Sequence, residues 1–182
     1  MDDTSNMGEK LSGGPTQDEV MAISLHRLRL RSGDVMADVG CGTGKVSIEA
    51  AKVCSKVYAL DMRPEAVRIT RQNIVAGDVG NVEALDGSAI ELLPNLGPLD
   101  AAFVGGSKDL EKVLEILASN VSGRIVVNAV LLRTLHTAVQ TMRRLGILEE
   151  ALQVQMSRSH ELAGDIMFRP IDPVFIIVGK VD

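Results

Sequence analysis

The chain has no tryptophan, one tyrosine and three phenylalanines, so aromatic residues make up only 2% of its 182 positions. Enzymes that extrude a nucleic-acid base grip it between aromatic or apolar walls, and Tyr58, Phe103, Phe168 and Phe175 are few rings for that task. A basic surplus is missing as well. The formal net charge is −5, whereas nucleic-acid binding draws its affinity from neutralised phosphates, so no nucleic-acid partner is expected. Long hydrophobic runs are absent too: the longest, residues 125–132, is broken by Asn128 and falls short of the roughly 20 apolar residues of a membrane span. Met1 to Lys10 is polar and acidic, without the apolar core of a signal peptide. The two cysteines, Cys41 and Cys54, have no metal-ligand spacing and make no disulfide framework. They read as thiols of a reducing cytoplasm, in a protein that carries no metal.

What is present begins with Asp38-Val39-Gly40-Cys41-Gly42-Thr43-Gly44. It follows the apolar Val35-Met36-Ala37 and precedes a helical pattern from Lys45 to Val53. A strand, a glycine turn and a helix in that order hold a nucleoside-bearing ligand at the carboxyl edge of a parallel sheet. A phosphate-binding loop would need glycine five residues before Gly44-Lys45 and Ser or Thr after it; Val39 and Val46 stand there. A dinucleotide fingerprint would need a third glycine where Lys45 stands. The remaining pattern, Asp-x-Gly-x-Gly-x-Gly, resembles the first motif of class I S-adenosylmethionine-dependent methyltransferases. Asp61, at the end of the next apolar run, lies close to the ~20 residues beyond Gly40 expected of an acid that binds ribose hydroxyls. A helix N-cap before Pro64 is its competing role.

The length suits one domain with a full sheet and helices on both faces. Apolar periodicity gives a helix over Gln17 to Leu30 with Thr16 as its N-cap, then strands at Val35–Val39, Val57–Leu60, Val82–Leu85, Leu99–Val104 and Arg124–Asn128. Helices intervene at 45–53, 64–75, about 90–92 and 109–117, and another runs from Leu131 to Leu145, ending at Gly146. Two further strands, Ala151–Met156 and Val174–Val178, follow without a helix between them. That is an α/β, Rossmann-like, seven-stranded and mostly parallel sheet with an antiparallel last strand.

Four segments in order make the reading narrower: Gly14-Pro15-Thr16, the glycine turn, Val104-Gly105-Gly106-Ser107 after the fourth strand, and Val127-Asn128-Ala129-Val130-Leu131-Leu132 after the fifth. Together, over about Gly14 to Gly179, they resemble the decarboxylating precorrin methyltransferases of cobalamin biosynthesis, the cobalt-precorrin-6B carbon-15 methyltransferases. The polar start of the chain reads as a flexible tail at 1–13, and the resemblance implies a single methyltransferase domain over 14–182. It implies methylation at carbon-15 with decarboxylation of the ring C acetate, S-adenosyl-L-methionine as methyl donor, a cobalt-precorrin tetrapyrrole as substrate, and a homotetramer in the cytoplasm. It assigns cofactor contacts to Thr16, Asp38, Gly40, Cys41, Gly42, Thr43, Gly44, Asp61 (ribose), and Ser88 and Ala89 (adenine), with Asp86 as an alternative to Ser88. Gly105, Gly106 and Ser107 clear space beside the reactive methyl for a bulky ring; a plain turn is their other reading. The substrate's carboxylates call for local cations. Lys108, Arg133, His136 and Arg158, with Asn128, are the candidates, and His160 and Arg169 lie in reserve. No residue is singled out as an obligatory base. An RNA methyltransferase of the tRNA adenine type and a non-catalytic S-adenosylmethionine-binding module are the alternatives, since fold alone does not fix function.

Overall fold

In the computed structural model, residues 16–181 are described; the expected tail at 1–13 and the Gly14-Pro15 pair lie outside them. The described residues form seven strands: β1 (Val35–Val39), β2 (Lys56–Asp61), β3 (Val82–Asp86), β4 (Leu99–Val104), β5 (Val121–Ala129), β6 (Leu148–Leu162) and β7 (Asp165–Lys180). They form one sheet in the order β3-β2-β1-β4-β5-β7-β6. The first five pair in parallel, and β7 runs antiparallel to both β5 and β6. The order turns back between β1 and β4, and such a reversal opens a crevice at the carboxyl ends of those strands.

Among the described residues six α-helices cover the sheet: α1 (Asp18–Leu28), α2 (Lys45–Ala50), α3 (Pro64–Ala76), α4 (Ala89–Leu92), α5 (Leu110–Asn120) and α6 (Leu132–Arg144). Successive side chains of a strand point to opposite faces, which β5 shows plainly. Ile125, Val127 and Ala129 join the core under α4, α5 and α6. Val126 joins the other core, with Val20 and Leu28 of α1 and Val46 of α2. None of the described helices is long and apolar enough to cross a membrane.

Two expectations are corrected. Thr16 does not cap α1: Gln17 occupies the N-cap, with no capping side chain. The carbonyl of Thr16 is instead held by Lys45 Nζ at 2.8 Å, and the same ammonium pairs with Asp18 at 2.6 Å, so the chain entering α1 is tied to the start of α2. The last two strands are also far longer than the apolar segments suggested. They continue to a two-residue turn at Ala163-Gly164, both residues with positive φ, the backbone that tight hairpins favour. The last β5–β7 pair is Ala129 with Phe175, so residues 165–174 and their β6 partners form an arm rising beyond the sheet's carboxyl edge. Ten residues at ~3.4 Å each give it a reach of roughly 30 Å.

Candidate active site

The glycine turn is shaped by its neighbours. The N–H groups of Gly40 and Cys41 both donate to the Leu60 carbonyl, at 2.8 and 3.0 Å, drawing the turn against the end of β2. Across the turn, Gly105 and Gly106 donate to the Val39 carbonyl at 2.9 and 3.2 Å. Gly40 has φ +77°, and a Cβ on it would lie 2.6 Å from the Gly106 nitrogen; no side chain fits there. Gly44, φ +76°, is crowded by the Thr70 methyl, 2.7 Å from where its Cβ would be. Thr70 Oγ1 also donates to the Gly42 carbonyl at 3.0 Å, and Asn73 donates to the Thr43 carbonyl at 2.8 Å. The turn is therefore clamped by α3. The close approach of the two loops is set at Gly40, since a Cβ on Gly106 would stand 3.5 Å from Gly40 Cα, an ordinary contact.

Asp61 ends β2 and accepts four hydrogen bonds. Gly42 N and Arg63 Nη2 reach Oδ2 at 3.0 and 2.8 Å, while the backbone N and Nε of Arg63 reach Oδ1 at 3.0 and 2.9 Å. Burial opposes its charge, but the Arg63 and Gly42 hydrogen bonds outweigh that and hold the carboxyl below its usual range. Asp38 lies beneath the turn, wholly buried. Its Oδ2 accepts the Ser47 hydroxyl, and its Oδ1 has no partner among the described residues. Burial, only partly offset by Ser47, pushes its pKa up to about 7. Burial also pushes the Cys41 thiol up to about 12; protonated, and 3.6 Å from Thr70 Oγ1, it is a packing group and not a nucleophile.

A cleft of about 330 Å³ opens at this edge, bounded by Gly40, Asp61, Met62, Ser88-Ala89-Ile90 and the Gly105–Asp109 loop. Met62 is 52% exposed there, an apolar side chain on the cleft wall. Ser88 is the N-cap of α4 but makes no capping hydrogen bond, so its hydroxyl is available to the cleft; Asp86 is exposed and lies outside the lining. Beyond Ser107-Lys108-Asp109 a second hollow of about 950 Å³ runs between the start of α5 and the start of α6, lined among others by Lys112, Leu131, Leu132 and Arg133.

The structure thus gathers Gly40, Asp61, Ser88, Ala89, Gly105, Gly106, Ser107 and Lys108 in one cleft, and places Arg133 in the adjoining hollow. Asp38, Cys41, Gly42, Thr43 and Gly44 build the turn behind it, and Thr16 is fastened to that turn through Lys45. Three candidates for the substrate fall elsewhere. Asn128 faces α1, where it accepts the Ser24 hydroxyl at 3.0 Å, because β5 alternation turns it away from α5 and α6. His136 is exposed on α6 outside both hollows. Arg158 pairs with Glu19 of α1 at 2.9 Å, while Arg169 and His160 meet at 3.3 Å on the arm. Met62, Arg63, Ile90 and Lys112 were missed by sequence reading. Met62 and Arg63 directly follow Asp61 and Ile90 directly follows Ala89, so adjacency offered a signal for these three, while nothing marked Lys112.

A family model described as a precorrin methyltransferase domain matches residues 10–180. A protein of Methanosarcina acetivorans named probable cobalt-precorrin-6B C(15)-methyltransferase (decarboxylating) is 45% identical, over 93% of this chain and 95% of its own. Among solved structures, a precorrin 8w decarboxylase of Methanobacterium thermoautotrophicum superposes with a TM-score of 0.88 at 35% identity, over 92% of both chains. A precorrin-6y C5,15-methyltransferase of Geobacter metallireducens gives 0.88 at 32% identity, over 94% of this chain and 93% of its own.

Proposed function

The chain belongs to the precorrin methyltransferase family, and from that premise we propose that it methylates carbon-15 of cobalt-precorrin-6B and removes the ring C acetate carboxyl as carbon dioxide. The observation that carries the reading is the pair of adjoining hollows at the carboxyl edge. The smaller is walled by Asp61 and the bare Gly40–Gly106 contact; the larger is rimmed by cations. The residues present suit S-adenosyl-L-methionine as methyl donor. Asp61 can accept two hydrogen bonds from a ribose diol, Met62 and Ile90 offer apolar surface to an adenine, and the orphaned Asp38 Oδ1 suits an ammonium reached through a water. Thr16, Cys41, Gly42, Thr43, Gly44, Ser88 and Ala89 complete the proposed cofactor set.

The donor's sulfonium supplies an electrophilic methyl group. The chain's contribution is placement. The titratable side chains lining the cleft are Asp61, Arg63, Lys108 and Asp109, with no histidine among them, and a positioned in-line transfer draws its rate from geometry. The electron pair of carbon-15 forms the new carbon–carbon bond as the carbon–sulfur bond breaks. The electron-poor ring then takes the pair released from the acetate's bond to its carboxyl. Carbon dioxide leaves, and the remaining exocyclic carbon takes up a proton as the methylated carbon-15 gives one up, so no net proton is gained. We propose also that the β6–β7 arm assembles the protein into a homotetramer.

Mass spectrometry of cobalt-precorrin-6B incubated with the protein and S-adenosylmethionine tests the reaction. The expected product has gained one methyl and lost one carbon dioxide. A methylated product with every carboxylate intact would place the decarboxylation elsewhere, and unchanged substrate would remove the reading.

A further inference from the structure

We propose that the groove between α5 and α6 is the seat of the tetrapyrrole, with Lys108, Lys112 and Arg133 as the ligands of its carboxylates and Leu131 and Leu132 under its ring. This rests on the reading above and gives that substrate a place. The groove is about 950 Å³, large enough for a macrocycle, where the cofactor cleft of about 330 Å³ is not. The two share Ser107, Lys108 and Asp109 as a common wall. A ring lying in the groove therefore presents one edge over that wall toward Gly105 and Gly106, where the methyl group is delivered.

The charges of the groove are arranged for an anion, although the chain as a whole is acidic. Lys108, Lys112 and Arg133 are exposed and form no ion pair among the described residues. Of the two acids on the lining, Glu111 is taken by Arg144 at 3.0 Å, and the same guanidinium also holds Glu115 at 2.6 Å. Arg144 balances one of those two carboxylates, so Asp109 and one glutamate stand against Lys108, Lys112 and Arg133, and the rim keeps a cationic surplus. Beside them Val130, Leu131 and Leu132 are 57%, 65% and 71% exposed, three large apolar side chains in succession at the end of β5. Exposed apolar surface next to free cations marks a binding surface, and this combination matches a ligand with an apolar face and a carboxylated rim. Neither Lys112 nor the two leucines touches the cofactor cleft, so their role is separable from cofactor binding.

The test uses uroporphyrin III, a tetrapyrrole with eight carboxylates, titrated by fluorescence against the whole protein, alongside calorimetry with S-adenosylhomocysteine. Wild type is expected to bind the porphyrin with an affinity that weakens as salt rises. The Lys112→Gln/Arg133→Gln double variant should bind it at least about ten-fold more weakly, with unchanged S-adenosylhomocysteine affinity as proof that the cleft is intact. Lys112→Arg should retain most of the binding, and the KM for cobalt-precorrin-6B should rise in the double variant with little change in kcat. Equal porphyrin binding by wild type and double variant would overturn the groove whatever the turnover. Groove-dependent porphyrin binding by a protein that leaves cobalt-precorrin-6B unchanged would keep the groove and overturn the enzymatic reading alone.

Discussion

Asp61 holds four donors, three of them from Arg63, and a carboxylate has about four lone-pair sites. Two ribose hydroxyls can bind only if the 42%-exposed guanidinium gives up its place. In the proposed cofactor site Arg63 and the ribose would compete for one carboxylate, and opposite effects follow for the two residues. Asp61→Ala should weaken S-adenosylhomocysteine binding by about 1–3 kcal/mol, the loss of charge-assisted hydrogen bonds. Arg63→Met, which leaves Asp61 open, should tighten it several-fold; calorimetry reads both, and weaker binding in Arg63→Met would show that the guanidinium helps the ligand. Asp38 supplies a pH signature. Its folded pKa of about 7 exceeds the ~3.9 of an unfolded aspartate. The folded state therefore binds the extra proton, and the ligand-free protein gives up stability as pH rises from about 4 to about 7. An ammonium beside Asp38 favours its ionised form, so binding S-adenosylhomocysteine near pH 6 should release a proton. Calorimetry in buffers of different ionisation enthalpy measures that release, which should vanish in Asp38→Asn.

At the scale of elements, what the sequence discloses follows from burial. β1 and β4 are found where the apolar runs put them, because both faces of each strand lie in the core. The glycine turn and Asp61 are legible for a related reason: their chemistry comes from local spacing along one strand–turn–helix unit. The outer arm is not legible. Residues 161–170 are exposed on both faces, so no alternation marks them. Pro170 and Pro173 also argue against a strand, yet both lie in β7. The ladder accommodates this with a register shift between Val154 and Met156 and a bond from Gln155 Nε2 to the Ile171 carbonyl at 3.0 Å. The groove is equally hidden in the sequence. Lys112 and Leu131 lie 19 positions apart, on elements that meet only when α5 and α6 pack side by side. The capping of Glu111 by Arg144 spans still more chain.

The whole molecule concentrates its unfinished surface at one end. Cleft, groove and arm all lie at or beyond the carboxyl edge, because β7 runs antiparallel to β5 and carries the arm past it. Along the arm Leu162, Ile166 and Phe168 are 58%, 67% and 67% exposed, and among the described residues no strand pairs with the outer edge of β6. An isolated two-stranded ribbon is marginal in water, and an open edge with exposed apolar side chains invites pairing with another chain. A second copy supplies the same arm and the same need, so a two-fold contact satisfies both at once. Arg158, midway along the arm, pairs with Glu19 of α1, and Leu162, Ile166 and Phe168 lie beyond it toward the tip. Sedimentation of the wild-type protein should accordingly show an oligomer. Phe168→Asp with Ile166→Asp should shift it toward the 19.4 kDa monomer while leaving S-adenosylhomocysteine binding intact, since neither residue lines the cleft. A wild-type protein that sediments as a monomer at micromolar concentration would leave the arm without this purpose.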